Sequence, residues 1–484
     1  MRKECSFGSL PWSVPVPVVP GDFVPAHPEL NKFNVVVDNS RVPSFIRRPI
    51  EIPEDDLLHC DLQRQTRPAR SYEKILGSGR AGHFKGKWLK GVGRTPLAYN
   101  WNLRENISYC SGSLPASAAF RERVATVFAR ARGIAHTING CEGLLLRRRP
   151  DESPDTFKRT SRLLPVDRRF EALSVKPGNF ARLSNFSWVL SQPITDRSLA
   201  PFFRLLDHFL DPGEKLSVAD LLEPDVLVGK LGDAFERGKN YQKTYFVHGL
   251  LWGGAGNNCA LDGRFLDLEA PVIIGAPFVG FLGRHGGDEL FHLGFESLTY
   301  FLEFAQFLRF LRGTLNDLCE TECALDLPSR IYAKVFLQTL RGRAAKARLP
   351  EVDGGSLRAS WVSWFLEFAT EELKIPRRSK ANFEAWVASI AREFEERGMT
   401  GGSHVRLAKA PFRIVPRGGA SVDLYVPRFV HLTAQSLSDG QEVNECLRSL
   451  DKNATSEKAL FDLLAGSEKR IDSMGRAMGK SGSH

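Results

Sequence analysis

Six glycines fall within the seventeen residues from Gly77 to Gly93, in the run G-S-G-R-A-G-H-F-K-G-K-W-L-K-G-V-G. Each glycine weakens a helix interior by about 1 kcal/mol relative to alanine, so a run this dense is not helical. It fits tight turns flanking short strands, with Lys87 to Val92 as one candidate strand. Upstream, residues 1–70 are rich in proline and lack helical periodicity. They read as an extended arm with a few short strands, the best of them Phe33 to Asp38. Downstream, Ala116 to Arg132 reads as a helix closed by Gly133 in the C′ position. Its apolar stripe is Phe120, Val124, Val127, Phe128 and Ala131. The opposite face carries Ala118, Glu122, Ala125 and Ala129, which sets one carboxylate among small residues that permit close approach.

Strand-like pieces follow at Gly143 to Leu146 and Phe186 to Leu190, and then the pattern changes to helices. These are expected at Ala200 to Leu210, Val218 to Leu231, Leu298 to Leu315, Ile331 to Leu340, Trp361 to Leu373 and Phe383 to Arg397. The aromatic stripe of Tyr300, Phe304, Phe307, Leu308 and Leu311 is core packing rather than a cofactor box. The expected fold class is α+β with two lobes and a cleft between them. The divisions are an arm at 1–70, a mixed strand and helix N-lobe at 71–195, and a mainly helical C-lobe at 196–400. A segment at 401–484 returns to β-branched residues and turns and ends in a polar tail, with a short amphipathic piece at Leu460 to Leu464.

Composition excludes several classes. A chain of 484 residues exceeds one compact core. With 33 Phe and 8 Trp it holds enough apolar area to fold rather than remain disordered. No apolar run approaches the ~20 residues that cross a bilayer. The stretch Tyr300 to Leu315 is broken by Glu303, Gln306, Arg309 and Arg312, so no membrane partner is expected. The net charge of 66 − 56 = +10 suits a polyanionic partner. The basic clusters Arg147-Arg148-Arg149, Arg168-Arg169 and Arg377-Arg378 are short, however, and read as solvated surface charge, so nucleic acid is not the expected partner. The eight cysteines form no C-x-x-C pair, and Cys319 with Cys323 supplies only two ligands of a zinc site. Free thiols in a reducing compartment are expected. The N-terminus, punctuated by prolines from Pro11 to Pro20, lacks the h-region of a signal peptide, so the expected location is cytoplasmic.

Three pieces carry candidate chemistry. Gly77-Ser78-Gly79-Arg80 is a Gly-x-Gly turn whose backbone N–H groups can approach phosphate oxygens, although such turns are also common in hairpins. Lys90 on a strand, followed by helical Glu122, is the arrangement with which kinase-like folds fix a cation on ATP phosphates; two unrelated surface charges would give the same spacing. The run from Val247 to Glu269 holds a His-Gly turn and a loop, then Asn258 and Asp267 nine residues apart. Asp262-Gly263 between them is a hairpin turn signal that would bring Asn258 and Asp267 together at its mouth. An amide oxygen and a carboxylate are hard ligands suited to Mg²⁺ bridged to a nucleotide; an ordinary hairpin with polar ends is the alternative.

The segment L-K-G-V-G-R-T-P-L (Leu89 to Leu97) resembles the strand-lysine motif of the selenoprotein O (YdiU) family, pseudokinase-fold enzymes that transfer AMP from ATP to protein hydroxyls. L-G-S-G-R-A (Leu76 to Ala81) is similar to the family's L-G-D-G-R-A, and Arg121-Glu122 to its Arg-Glu. Ser111-Gly112 stands where the family has Asp-Gly. V-K-P-G-N-F-A-R-L-S-N-F (Val175 to Phe186) resembles the arginine-bearing segment that holds the nucleotide in reversed orientation, and F-V-H-G with Asn258 and Asp267 resembles the metal loop, placed at 246–270. The resemblance implies a two-lobed protein-kinase-like fold with ATP and Mg²⁺ as cofactors. It implies nucleotide contacts from Gly77, Gly79, Arg80, Lys90, Ser111, Gly112, Lys176 and Arg182, with Glu122 orienting Lys90. Asn258 and Asp267 would hold the metal. Asn257 stands where the family has its base Asp, and the amide cannot accept a proton. Asp262 or Glu269 would have to substitute. Lys176 is displaced by one position from the family's first arginine, the loop before Asn258 is longer, and the C-terminal selenocysteine or cysteine motif is absent. The expected activity is AMP transfer to a hydroxyl of a protein or peptide. The alternatives are a kinase-fold phosphotransferase acting on a peptide or small molecule, and a nucleotide-binding pseudoenzyme.

Overall fold

The computed structural model describes residues 7–40, 52–64, 75–77, 79–95, 112–149, 167, 169–211, 222–248, 250–251, 258–268, 272–273, 289–321, 325–343, 349–350, 354–371, 384–385, 387–388, 413–414, 422–423 and 456–480. It is mixed α and β. Ten strands form one curled antiparallel sheet: β1 (Ser13–Pro20), β2 (Val24–Pro25), β3 (Val35–Val37), β4 (Leu57–Arg64), β5 (Ile75–Gly77), β6 (Ala81–Phe84), β7 (Lys87–Lys90), β8 (Leu114–Pro115), β9 (Gly143–Arg148) and β10 (Phe170–Pro177). The strand order is β2-β9-β10-β7-β6-β4-β1-β3, with β5 added to β4 and β8 to β10. Helix α1 (Ala116–Ala131) crosses between β8 and β9. After β10 come α2 (Leu183–Leu190), α3 (Asp196–Leu210) and α4 (Pro224–Val247), the pair β11 (Leu250–Leu251) and β12 (Val272–Ile273), then α5 (Glu289–Glu320), α6 (Leu327–Arg343) and α7 (Gly354–Glu371). The hairpin pair β13 (Arg413–Ile414) and β14 (Val422–Asp423) and helix α8 (Glu457–Lys480) complete the described elements.

Successive strand residues point to opposite faces, and the two faces of the sheet differ in kind. Val16, Val18, Leu58, Leu89, Leu145, Leu173 and Val175 turn into the curl and form one apolar cluster with Phe23, Phe33 and Phe84. Their neighbours in sequence face outward. In register across the sheet these are His59 of β4, His83 of β6, Trp88 and Lys90 of β7, and Ser174 and Lys176 of β10. On this outer face, Leu144, Leu146, Phe170 and Ala172 pack against Ala116, Ala119 and Phe120 of α1, and Leu460 and Leu464 of α8 join the same cluster. The largest cluster joins the far side of α1 to α2 through α7, centred on Phe186, Phe203, Phe235, Phe304, Phe307 and Trp361.

Four local expectations change. Residues expected as an arm supply β1, β3 and β4, and Trp12 packs against Phe186 and Phe209. Phe186 to Leu190, expected as a strand, belongs to helix α2. A short apolar run does not by itself distinguish the two, and Asn185 favours the helix here by accepting the Arg182 backbone N–H at 2.8 Å in the first turn. The helix expected from Val218 starts instead at Pro224, whose fixed φ suits the first turn, and extends to Val247. The arginine cluster is not all solvated: Arg149 is buried, with Glu171 3.6 Å away, and Arg147 donates to Glu171 and Asp22. Ser111, Asn257, Glu269, Cys323, Arg168 and the Arg377-Arg378 pair lie outside the described residues.

Candidate functional site

Lys90 is the last residue of β7, paired with Ala81 on one side and Ser174 on the other. Its outward direction carries Nζ to Glu122 Oε1 of α1 at 3.2 Å and to Asp267 Oδ1 at 2.9 Å. Glu122 has no solvent exposure. Its Oε1 also accepts from Lys176 Nζ at 2.7 Å, and its Oε2 from Ser174 Oγ at 3.0 Å. Lys176 Nζ donates further to the Leu266 carbonyl at 3.1 Å. A carboxylate removed from water is tolerated only when its oxygens are met by donors, and here two ammonium groups and a hydroxyl meet it. The alanines at 118, 125 and 129 keep the helix close enough to the sheet for this reach. Asp267 is the most exposed of these ionic groups, its side chain 28% accessible.

The hairpin from Asn258 to Asp267 brings the carboxylate in. Its ladder runs through Leu266 N–H to the Asn258 carbonyl at 3.0 Å and Ala260 N–H to the Arg264 carbonyl at 2.9 Å. The turn needs Gly263, whose φ is +91°. Asp262 closes this turn, accepting from the Arg264 backbone N–H at 3.1 Å and from Arg264 Nε at 2.7 Å. The residue considered as a substitute base therefore sits at the tip, the end opposite Asn258 and Asp267, with both oxygens engaged by one arginine. Beneath the hairpin, Ala260 and Leu266 pack on Ala81, Trp88 and Phe180.

Arg182 anchors the other strand of the hairpin. It is the N-cap of α2, forms an antiparallel bridge with Ala260, and donates from Nη1 to Asn258 Oδ1 at 2.8 Å. The guanidinium lies over the Trp88 ring, 5.8 Å from its centroid. Burial holds its pKa below the ordinary arginine value, while Asp267, Asp61 and Glu303 pull it back up. Asp61 and Glu303, both buried, were not singled out from the sequence. Ser174 was missed too, although it stands two residues before Lys176 on one strand and so shares its face.

The glycine-rich turn lies at the edge of the same region. Gly79 takes φ +69°, Gly91 +101°, Gly93 +96° and Gly112 +75°. Gly112 fits so closely that a Cβ would fall 2.0 Å from the Gly93 carbonyl carbon. The Gly79 carbonyl accepts from Thr95 Oγ1 at 2.7 Å, and Gly77 pairs with Leu62. Arg80, expected to reach phosphate, is buried, with Nη1 on the Ser113 carbonyl at 2.9 Å. The turn and Gly112 are thus brought together. Cys141 lies behind Ser174, Sγ to Oγ 3.3 Å, and burial, then Glu122, pushes its thiol up to about 11. Cys60 and Cys259 are likewise buried.

Comparison with family models, curated proteins and solved structures found no match for this chain. The chemistry is therefore read from the side chains. Lys90 and Lys176 contact Glu122, Lys90 also contacts Asp267, and Arg182 is bonded to Asn258 with Asp267, Asp61 and Glu303 near enough to raise its pKa, so cations and carboxylates are gathered at a position left partly open at Asp267. Among the described residues no cluster of three His, Cys, Asp or Glu forms a metal cage. At one hairpin mouth the Asn258 amide oxygen accepts from Arg182 and the Asp267 carboxylate from Lys90; both are hard oxygens of the donor type Mg²⁺ takes. No helix among the described residues is long and apolar enough to cross a membrane.

Proposed function

We propose that this chain is an ATP- and Mg²⁺-dependent nucleotidyltransferase of two-lobed, protein-kinase-like fold that passes AMP to a hydroxyl of a protein or peptide. The observation that carries the reading is Lys90 Nζ held between Glu122 of α1 and Asp267 of the hairpin. A sheet lysine bridged to a helix carboxylate and to a candidate metal ligand is what a triphosphate site requires. Lys90 and Lys176 neutralise phosphate charge while Glu122 keeps both ammonium groups in place. Arg182, fixed by Asn258 and Trp88, meets charge that develops as the transferred phosphorus is attacked. Asn258 and Asp267 would hold Mg²⁺, which when bound supplies further charge neutralisation on the phosphate oxygens. Gly77, Gly79, Arg80 and Gly112 shape the turn beside the phosphates. In the transfer, the acceptor hydroxyl oxygen bonds to the α-phosphorus and gives its proton to solvent water, the bond to the α–β bridging oxygen breaks, and pyrophosphate leaves with that electron pair.

ATP labelled separately at the α and γ positions tests this, with Lys90→Met as the control. Label from α alone, lost in the control, is the expected result. Label from γ alone would establish a phosphotransferase instead. A nucleotide-binding scaffold is the second reading. It is favoured by Asn257 in the base position and by the engagement of Asp262 with Arg264. Label from neither position would support it. If the resemblance holds at this position, Asn257→Asp raises self-modification by ~10²–10⁴, the usual worth of a general base.

A further inference from the structure

Helix α8 lies along α1, the helix that carries Glu122, and its Ile471 reaches the large core. Leu460 and Leu464 are buried against Ala116, Ala119, Phe120, Leu144 and Leu146. One turn further, Glu468 forms a two-pronged ion pair with Arg123, Oε1 to Nε at 2.6 Å and Oε2 to Nη2 at 3.3 Å. This fork-to-fork geometry is the most directional ion pair that side chains make. Its side chains are 11% and 24% accessible, so it is not a loose surface contact. Glu468 and the Glu142 and Cys141 charges hold the Arg123 guanidinium above its ordinary pKa against the opposing effect of burial. Arg123 does not stop at α8. Its Nη1 donates to the carbonyls of Cys141 and Glu142, at 2.9 and 2.7 Å. Cys141 Sγ in turn touches Ser174 Oγ, which donates to Glu122 Oε2. Glu142 N–H is bonded to the Val175 carbonyl in the strand that carries Lys176.

We infer that α8 is a brace for the ionic centre, and that Arg123 and Glu468 are positioning residues that fix the Glu122 carboxylate between Lys90 and Lys176. Neither residue touches the lysines. They act by pinning α1 and the 141–142 segment to each other, the two supports from which Glu122 and Ser174 reach in. A helix held by such packing and a part-buried ion pair exchanges between docked and loosened states, and loss of the pair moves that balance. The consequence for nucleotide rests on the proposed function; the consequence for the lysines does not.

The test follows three quantities in Glu468→Ala and Glu468→Gln: labelling of Lys90 and Lys176 by an amine-reactive acylating reagent, hydrogen exchange in residues 116–131, and Mg²⁺–ATP affinity by calorimetry. Lys230, paired with Asp207 on α4, is the internal reference for labelling. The expected result is labelling of both lysines at least about fivefold faster relative to Lys230, the equivalent of ~1 kcal/mol, with faster exchange in α1 and weaker nucleotide binding. Glu468→Gln keeps the shape if the alanine variant fails to fold, and Glu468→Asp, which keeps the charge, should restore most of the parent values. Unchanged labelling and exchange in both variants overturns the brace even if the parent binds nucleotide. Faster exchange in α1 without faster lysine labelling also overturns it, since the helix would then be held without positioning the site. Changed labelling in a parent that binds no nucleotide sustains the brace and removes the nucleotide reading.

Discussion

Glu122 is the residue on which the centre depends, since it contacts Lys90, Lys176 and Ser174 together. Breaking a buried ion pair by removing one partner costs about 3–5 kcal/mol, because the remaining charge is left without compensation. Glu122→Gln should therefore lower the free energy of urea unfolding at neutral pH by about that amount, and a loss below ~1 kcal/mol would mean that the lysines are compensated elsewhere. Cys141 gives a pH signature. Its thiol is raised from 9.0 to about 11, so the folded state holds the proton over a range in which the unfolded chain releases it. The contribution is complete below pH 9 and is lost as pH rises toward about 11, amounting to ~2–3 kcal/mol. The unfolding free energy of the parent should fall across that range relative to Cys141→Ala, and parallel curves would contradict the assignment. Lys90, Glu122, Asn258 and Asp267 were legible as a group because a lone carboxylate among alanines and a pair of hard ligands around an Asp-Gly turn are unusual patterns. Ser174, Asp61 and Glu303 were not legible, since their positions depend on strands and helices that meet only in three dimensions.

Among the elements, α1 and the Asn258 to Asp267 hairpin were readable because their signals are local: a stripe and a C′ glycine in the first, a two-residue turn in the second. Helix α2 was not, because its apolar run is too short to show a period. The hairpin can be challenged directly. At Gly263 an added Cβ would sit 2.7 Å from Gly238 Cα of α4, on a backbone with φ +91°. Gly133 also has a positive φ, +74°, but nothing lies within 4 Å of an added Cβ. Gly133→Ala should cost only the ~1–2 kcal/mol of left-handed backbone, and Gly263→Ala distinctly more, measured as unfolding free energies of the two variants. Equal costs would show that the turn is not pressed against α4.

At the scale of the whole molecule, the pairing of β1 with β4, and the contribution of residues 13–64 to the sheet that holds Lys90, lay beyond local reading. Proline-rich sequence resembles an arm until its partners are known; Val14, Pro15 and Val16 pair with Cys60, His59 and Leu58. The docking of α8 on α1 spans more than three hundred residues of sequence and left only the Leu460 to Leu464 piece as a trace. The outcome is a sheet with one apolar face and one mixed face, the mixed face gathering lysines, an arginine and carboxylates where a helix and a hairpin meet it. The proposed function makes the gathered charge a site for Mg²⁺–ATP, bound through Lys90. Lys90→Met is the informative change, because buried Glu122 retains Lys176 at 2.7 Å and Asp267, the other carboxylate that loses Lys90, is part-exposed. The direct measurement is a calorimetric titration of Mg²⁺–ATP into the parent and into this variant, with unfolding curves recorded on both. Saturable binding by the parent, weakened at least about tenfold (~1.4 kcal/mol) in a Lys90→Met protein that remains folded, is the predicted result; equal affinity in the two proteins, or no binding by the parent, would contradict it.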